Sequence, residues 1–244
     1  MGRDESTGDI RTVFARYDDA TQPRRVVERY PSTHTRTPLA MPLDLEAGLT
    51  ETTGPSFRRE DLPQSAANLA VDAATGRRAI GQLIRLAGRV LDEDGRPVRH
   101  ALIELWQANG AGRYIHEADE SDAPLDPNFS GVGRVMTDEE GCYSFLTIKP
   151  GAYAVPQSGN WWRPPHIHFS LFGTSWMSRL VTQMYFPGEP LNRHDRILNA
   201  IPDAAARDRL VCAVADNTLD PSPALGFSFD IVLRGRSETP RVPA

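Results

Sequence analysis

Cysteine is scarce in this sequence: only Cys142 and Cys212 occur in 244 residues, far apart. That excludes a disulfide framework and a thiolate zinc cluster, and it suits a reducing, cytoplasmic compartment. Basic residues are not in excess either. The 27 Lys and Arg face 32 Asp and Glu, a formal net charge of −5, and they are scattered, so nucleic acid is not an expected partner. No apolar run approaches the ~18 residues of a membrane-spanning helix. The polar, acidic N-terminus carries no apolar export segment, so neither a membrane nor secretion is expected. Internal repeats are also missing, which leaves one large domain with an arm, or two small domains.

The 40% of apolar residues suffices for a core. Residues 1–80 are rich in Pro, Thr, Arg and Asp, without sustained periodicity. A structureless loop of that length is improbable inside a compact domain, so they are read as an extended N-terminal arm lying on the core or on a partner subunit. From Gly81 onward the texture is that of a β protein. Leu83 to Leu91 and Ala101 to Trp106 read as a hairpin around the turn at Asp92–Gly95, and Val132 to Thr137 with Cys142 to Ile148 repeat it around Asp138–Gly141. Further strands are expected at His166 to Leu171, Leu180 to Phe186 and Phe227 to Leu233, and a helix at Pro202 to Val214. The predicted fold is all-β: an antiparallel β-sandwich core over 81–244 with the extended arm and one or two short helices.

One stretch organises the rest: Trp161-Trp162-Arg163-Pro164-Pro165-His166-Ile167-His168-Phe169-Ser170-Leu171. Ile167, Phe169 and Leu171 alternate with His166, His168 and Ser170, the period of a strand with one face in a core. The two prolines belong at a strand's beginning. Side chains two apart on a strand project from one face roughly 7 Å apart, so the two imidazoles can converge on one metal ion. Read in isolation, they equally line a polar sheet face.

Further ligands are not obvious. No His-Glu-x-x-His is present, and Asp138 and Glu104 are explained by a turn and a strand. Tyr114 follows Asn109-Gly110-Ala111-Gly112-Arg113, and Tyr153 follows Lys149-Pro150-Gly151-Ala152. A phenolate is a hard oxygen donor for Fe(III), provided the metal displaces its proton. Taken alone, each tyrosine is more simply an edge or corner residue donating a hydrogen bond, Arg163 a surface ion pair, and Trp106 a core aromatic.

Four stretches, in order, resemble the signature of the intradiol ring-cleavage dioxygenases. They are Leu105-Trp106-Gln107-Ala108-Asn109-Gly110-Ala111-Gly112-Arg113-Tyr114, Ala123 to Phe129, Tyr143 to Gly151, and Trp162 to Phe169. The likeness extends from about residue 49 to 235. It implies one Fe(III) per chain, held by Tyr114, Tyr153, His166 and His168. It implies catalytic roles for Tyr153, as a dissociable ligand and base, and for Arg163, which stabilises the activated ring. Tyr30, Arg36, Val155, Trp162, Gln183 and Ile197 fall on substrate-binding positions. The implied reaction is cleavage of a catechol with O2, most specifically 3,4-dihydroxybenzoate (protocatechuate) to 3-carboxy-cis,cis-muconate, in a hetero-oligomer with a homologous α subunit.

Two positions depart from the family's pattern. Val155 stands where an aromatic is common, and Trp161 where a small or polar residue is common; both border the pocket, which leaves the ring substituent open. The alternatives are a catechol or hydroxyquinol enzyme, the same fold with zinc and hydrolytic chemistry, and a non-catalytic module, since Gly88 to Val98 also resembles the opening hairpin of transthyretin-like binding domains.

Overall fold

A computed structural model describes residues 19–27, 30, 33–34, 37–38, 40, 57–173, 179–216 and 223–242. In chain order the strands are β1 (Leu83–Leu91), β2 (Leu102–Trp106), β3 (Val132–Met136), β4 (Cys142–Ile148), β5 (Tyr153–Ala154) and β6 (Trp162–Arg163). They continue with β7 (His166–Phe172), β8 (Arg179–Tyr185), β9 (Ala213–Ala215), β10 (Leu225–Ser228) and β11 (Ile231–Val232). One short helix, α1 (Ala204–Asp208), precedes β9.

Nine of the strands form two stacked sheets, and β5 and β6 pair as a separate two-stranded ribbon. In the first, β1 pairs antiparallel with β4 on one side and parallel with β10 and β11 on the other, with β9 beyond β10. The second is antiparallel throughout, in the order β3-β2-β7-β8. Between them lie Ile84 and Leu86 of β1, Ile103 and Leu105 of β2, Phe145 of β4, and Ile167, Phe169 and Leu171 of β7, all fully buried. Each such side chain contributes about 1.5–3 kcal/mol on leaving water. The β-sandwich read from the alternating pattern is therefore present, with β10 and β11 as its parallel exception.

Both predicted hairpins are overturned. β1 pairs with β4 and β2 with β3 and β7, so each predicted pair of arms is split between the two sheets. The turns themselves form as their residues dictate. Asp92 accepts hydrogen bonds from the backbone of Asp94 and Arg96, and Asp138 from that of Glu140 and Cys142. Turn chemistry reverses the chain but does not choose the layer its second arm enters. Each arm carries one apolar face, and opposite layers let the two faces cover each other.

Two more expectations are shortened. The helix predicted over 202–214 ends at Asp208, because Leu210 and Cys212 bond to the backbone of Tyr185 and β9 then pairs with β10. The strand predicted over 227–233 is interrupted at Phe229 and Asp230, where Asp230 turns its carboxylate to the backbone N–H and guanidinium of Arg89. The N-terminal segment is tied to the body at several points. Arg24 N–H donates to Ala200, the Gln22 side chain bridges Glu238 and the backbone of Arg241, and Leu69 and Ala70 are buried in the core.

The face of β7 opposite the sandwich core is also closed to solvent: His166, His168 and Ser170 are all buried. Phe169, packed 5.4 Å from the Phe229 ring across the sandwich, anchors the inner face of that strand. Phe169→Ala should cost about 3–5 kcal/mol of stability, read as a lower urea midpoint with an unchanged denaturant slope.

Candidate metal centre

Strand β7 lies between β2 and β8, and its register sets what surrounds each histidine. His168 is opposite Trp106 on one side and Gln183 on the other, while His166 is opposite Tyr185. The Trp106 indole stacks on the His168 ring at 4.8 Å and 11°, and Tyr185 stacks on His166 at 5.9 Å. Trp106, which looked in the sequence like a core aromatic, thus holds a ligand-type ring in plane. His166 Nδ1 lies 2.7 Å from the Pro164 carbonyl. A carbonyl only accepts, so Nδ1 carries the proton and Nε2 turns a lone pair into the site. Burial, with Arg163 and His168 adding to it, holds His166 well below the usual imidazole range, so the ring is neutral.

The two tyrosines arrive on separate loops that cross backbone to backbone. Gly151 N–H donates to Asn109 O at 2.9 Å, and a side chain on Gly151 would sit 2.6 Å from the Gly112 nitrogen. Gly112 has φ +85°, and a Cβ there would meet the Ala152 carbonyl at 2.3 Å. Glycine is therefore required on both sides of the crossing. Asn109 fastens the first loop, accepting from the backbone of Ala111 and Arg113 and donating to Pro124 O. Asp119 takes the Tyr114 N–H at 2.8 Å.

The crossing brings the tyrosines onto the histidines. Tyr114 Oη is 3.2 Å from His168 Nε2 and 3.5 Å from His166 Nε2. The Tyr114 and Tyr153 rings meet edge to face at 5.6 Å. Burial pushes both phenols above their ordinary value, while Arg163 pulls the other way. Among the described residues no three of His, Cys, Asp and Glu gather at one point. A cation here would have to be held by phenolic oxygens beside the imidazoles, and two phenolic protons would leave as it bound. Two phenols and two imidazoles gathered in this way suit a ferric ion. The residues present fit that group.

Arg163 is not on the surface: its side chain is 1% exposed. Its Nε donates to Asp195 Oδ2 at 2.8 Å, and its Nη2 donates to Gln183 Oε1 at 2.6 Å and to the Tyr185 hydroxyl at 2.9 Å. Tyr153 is paired directly opposite Arg163 across β5 and β6. Burial opposes the charge, but Asp195, with Tyr185 and Tyr153, outweighs it and holds the group protonated. Asp195 and Tyr185 went unnoticed in the sequence. Tyr185 lies in a predicted strand, but its place opposite His166 is set by sheet register; Asp195 sits in a loop and offered no signal.

Val155, Ile197 and Trp161 form a buried cluster with Tyr30 and Tyr153 packed against it. Tyr30 meets Trp161 edge to face at 5.4 Å, and the Arg196 guanidinium lies 4.8 Å from the Trp161 ring centre. The structure thus brings Tyr30, Val155, Gln183 and Ile197 to the site. Trp162 is 46% exposed, pairs with Ala154, and alternates with the inward Arg163, so it is not brought into this cluster. Arg36 lies outside the described residues.

A β-sandwich that gathers two tyrosines, a His-x-His strand and a buried arginine is the arrangement that the resemblance to the intradiol ring-cleavage dioxygenases implies. A family model described as "Dioxygenase" matches residues 52–235, and the chain belongs to that family. It is similar to the protocatechuate 3,4-dioxygenase beta chain of Burkholderia cepacia, with 50% identity over 95% of this chain and 98% of that one. The alpha chain of the same name from that organism is 29% identical over 78% of this chain and 93% of its own length. Among solved structures, 3-chlorocatechol 1,2-dioxygenase from Rhodococcus opacus 1CP superposes with a TM-score of 0.53 at 23% identity, covering 69% of this chain and 65% of that one; this bears on the fold alone. The family membership sets aside the binding-module alternative.

The glycine crossing gives a direct test. Gly151→Ala should lose about 1–3 kcal/mol of stability through overpacking, and bound metal per chain should fall with it. Unfolding curves and metal analysis on the same preparation check both.

Proposed function

We propose that this chain is the iron-bearing subunit of an αβ enzyme that cleaves 3,4-dihydroxybenzoate with O2 to 3-carboxy-cis,cis-muconate. The carrying observation is that His168 Nε2 and His166 Nε2 lie 3.2 and 3.5 Å from Tyr114 Oη, with the Tyr153 ring edge to face against Tyr114 and its residue paired opposite a buried arginine. Tyr114, Tyr153, His166 and His168 would hold one Fe(III). That ion, when bound, supplies a Lewis acid that chelates the catechol as a dianion and renders its ring reactive toward O2.

The remaining roles fall to the chain's own residues. A chelating catechol must shed two protons; the Tyr153 phenolate would accept one at Oη and hydroxide from solvent the other. Arg163 offers a fixed positive charge beside that oxygen, where negative charge develops on the ring. Gln183 and Tyr185 hold the guanidinium from behind. Val155, Ile197, Trp161 and Tyr30 supply apolar walls that exclude water. Arg36 and Trp162 remain proposed substrate contacts by resemblance. An acid substrate, unlike catechol or hydroxyquinol, needs a cation at the pocket mouth. Arg196, lying over Trp161, is one source, and a basic group of the partner chain is another. Similarity to an alpha chain over 93% of its length supports a partner of the same fold, and we read the arm over 1–80 as reaching the core or that partner. Two free cysteines support a reducing, cytoplasmic setting.

A visible absorption spectrum of the iron-loaded protein, co-expressed with its α chain, tests the ligand set. A broad tyrosinate-to-Fe(III) band that moves to longer wavelength on anaerobic addition of 3,4-dihydroxybenzoate is expected. A colourless protein with stoichiometric metal overturns the four-ligand site, and would be the result for Zn(II). Arg163→Gln should lower kcat by about 10²–10³-fold, the usual loss for a preorganised charge-stabilising donor, with KM moving far less; steady-state oxygen uptake checks this.

A further inference from the structure

Among the described residues Asp195 is the one carboxylate paired with Arg163, and it is fully buried. Its two oxygens face different structures. Oδ2 accepts from Arg163 Nε at 2.8 Å, while Oδ1 accepts from the backbone N–H groups of Ile197 at 2.9 Å and Leu198 at 2.7 Å. Ile197 belongs to the apolar cluster against which Tyr153 packs. One carboxylate therefore ties the charged group of the site to the turn that carries its wall. A buried ion pair contributes little to stability on balance, because desolvation offsets the attraction. What it supplies here is geometry: with Asp195 on Nε and with Gln183 and Tyr185 on Nη2, the plane of the guanidinium is set from two edges.

We propose that Asp195 is a positioning residue for the ring-cleavage reaction, which locks Arg163 and the Ile197 turn into one unit. This rests on the functional reading above. The test is D195N in the iron-loaded protein with its α chain, beside R163Q and the R163Q/D195N double variant. Asparagine keeps the shape and an acceptor for the turn but removes the charge that grips Nε. Iron content and the resting tyrosinate band should match wild type, since no iron ligand is changed. Kcat should fall about 100-fold, the scale of a misplaced group, with KM within about threefold. In the R163Q background D195N should cost nothing more, because the group it positions is gone. Three results overturn the proposal: wild-type kcat in D195N, a further loss in the double variant, or parallel loss of band, iron and activity as from simple misfolding. If D195N alone does not accumulate, the double variant, which carries no orphaned buried cation, decides: kcat equal to that of R163Q supports the proposal, and a further tenfold loss sinks it. A colourless, inactive wild type overturns the functional reading and this proposal with it; a coloured, active wild type equalled by D195N overturns this proposal alone.

Discussion

A guanidinium buried without a counter-charge costs several kcal/mol, and Arg163 is buried completely. Around that requirement several otherwise independent parts of the chain are brought into register. Arg163 sits on β6, paired directly opposite Tyr153 on β5. Gln183 and Tyr185, which hold its Nη2, come from β8, and Asp195 comes from the loop beyond. The same two β8 residues stand opposite the histidines of β7. Satisfying one charge thus aligns the ribbon, the sheet edge and the pocket wall with the imidazoles.

The four donor side chains meet through two further constraints of different kinds. On the histidine side the constraint is sheet register: Trp106 and Tyr185 face His168 and His166 across β2 and β8, and aromatic stacking holds the rings. The Pro164 carbonyl then selects the tautomer that leaves Nε2 open. On the tyrosine side the constraint is backbone proximity. The loops bearing Tyr114 and Tyr153 approach so closely at Gly112 and Gly151 that no side chain fits between them. Burial keeps the His166 imidazole neutral and both phenols protonated until a cation of high charge displaces their protons.

Much of this arrangement was legible along the chain. Strict alternation in His166–Leu171 marked β7 and the face its histidines share, and β1 and β4 begin and end where their residues predict. The Gly-rich approaches to Tyr114 and Tyr153 marked both as more than corner residues once four motifs stood in one order. The misreadings have specific causes. Asp92–Gly95 and Asp138–Gly141 form turns as their residues dictate, yet the strands they join part to opposite sheets. Residues 210–215 carry helical spacing, but the edge of β8 and the pairing of β9 with β10 take their backbone. Arg163 looked like a surface charge because its partners lie 20 to 32 residues away.

By itself the sequence determined the local matters: which segments alternate as strands, where the chain turns, which side chains can donate to a metal, and, through ordered motifs, the family. These depend on residue type and short spacing, which the chain carries on its face. Only the tertiary structure decided which strands share a sheet, that the second face of β7 is closed, that Trp161 rather than Trp162 joins the buried cluster beside Tyr153, and that Asp195 holds Arg163. Each of those follows from burying an apolar face or a charge against whatever the fold brings near, and that neighbour is set by long-range packing, not by position along the chain.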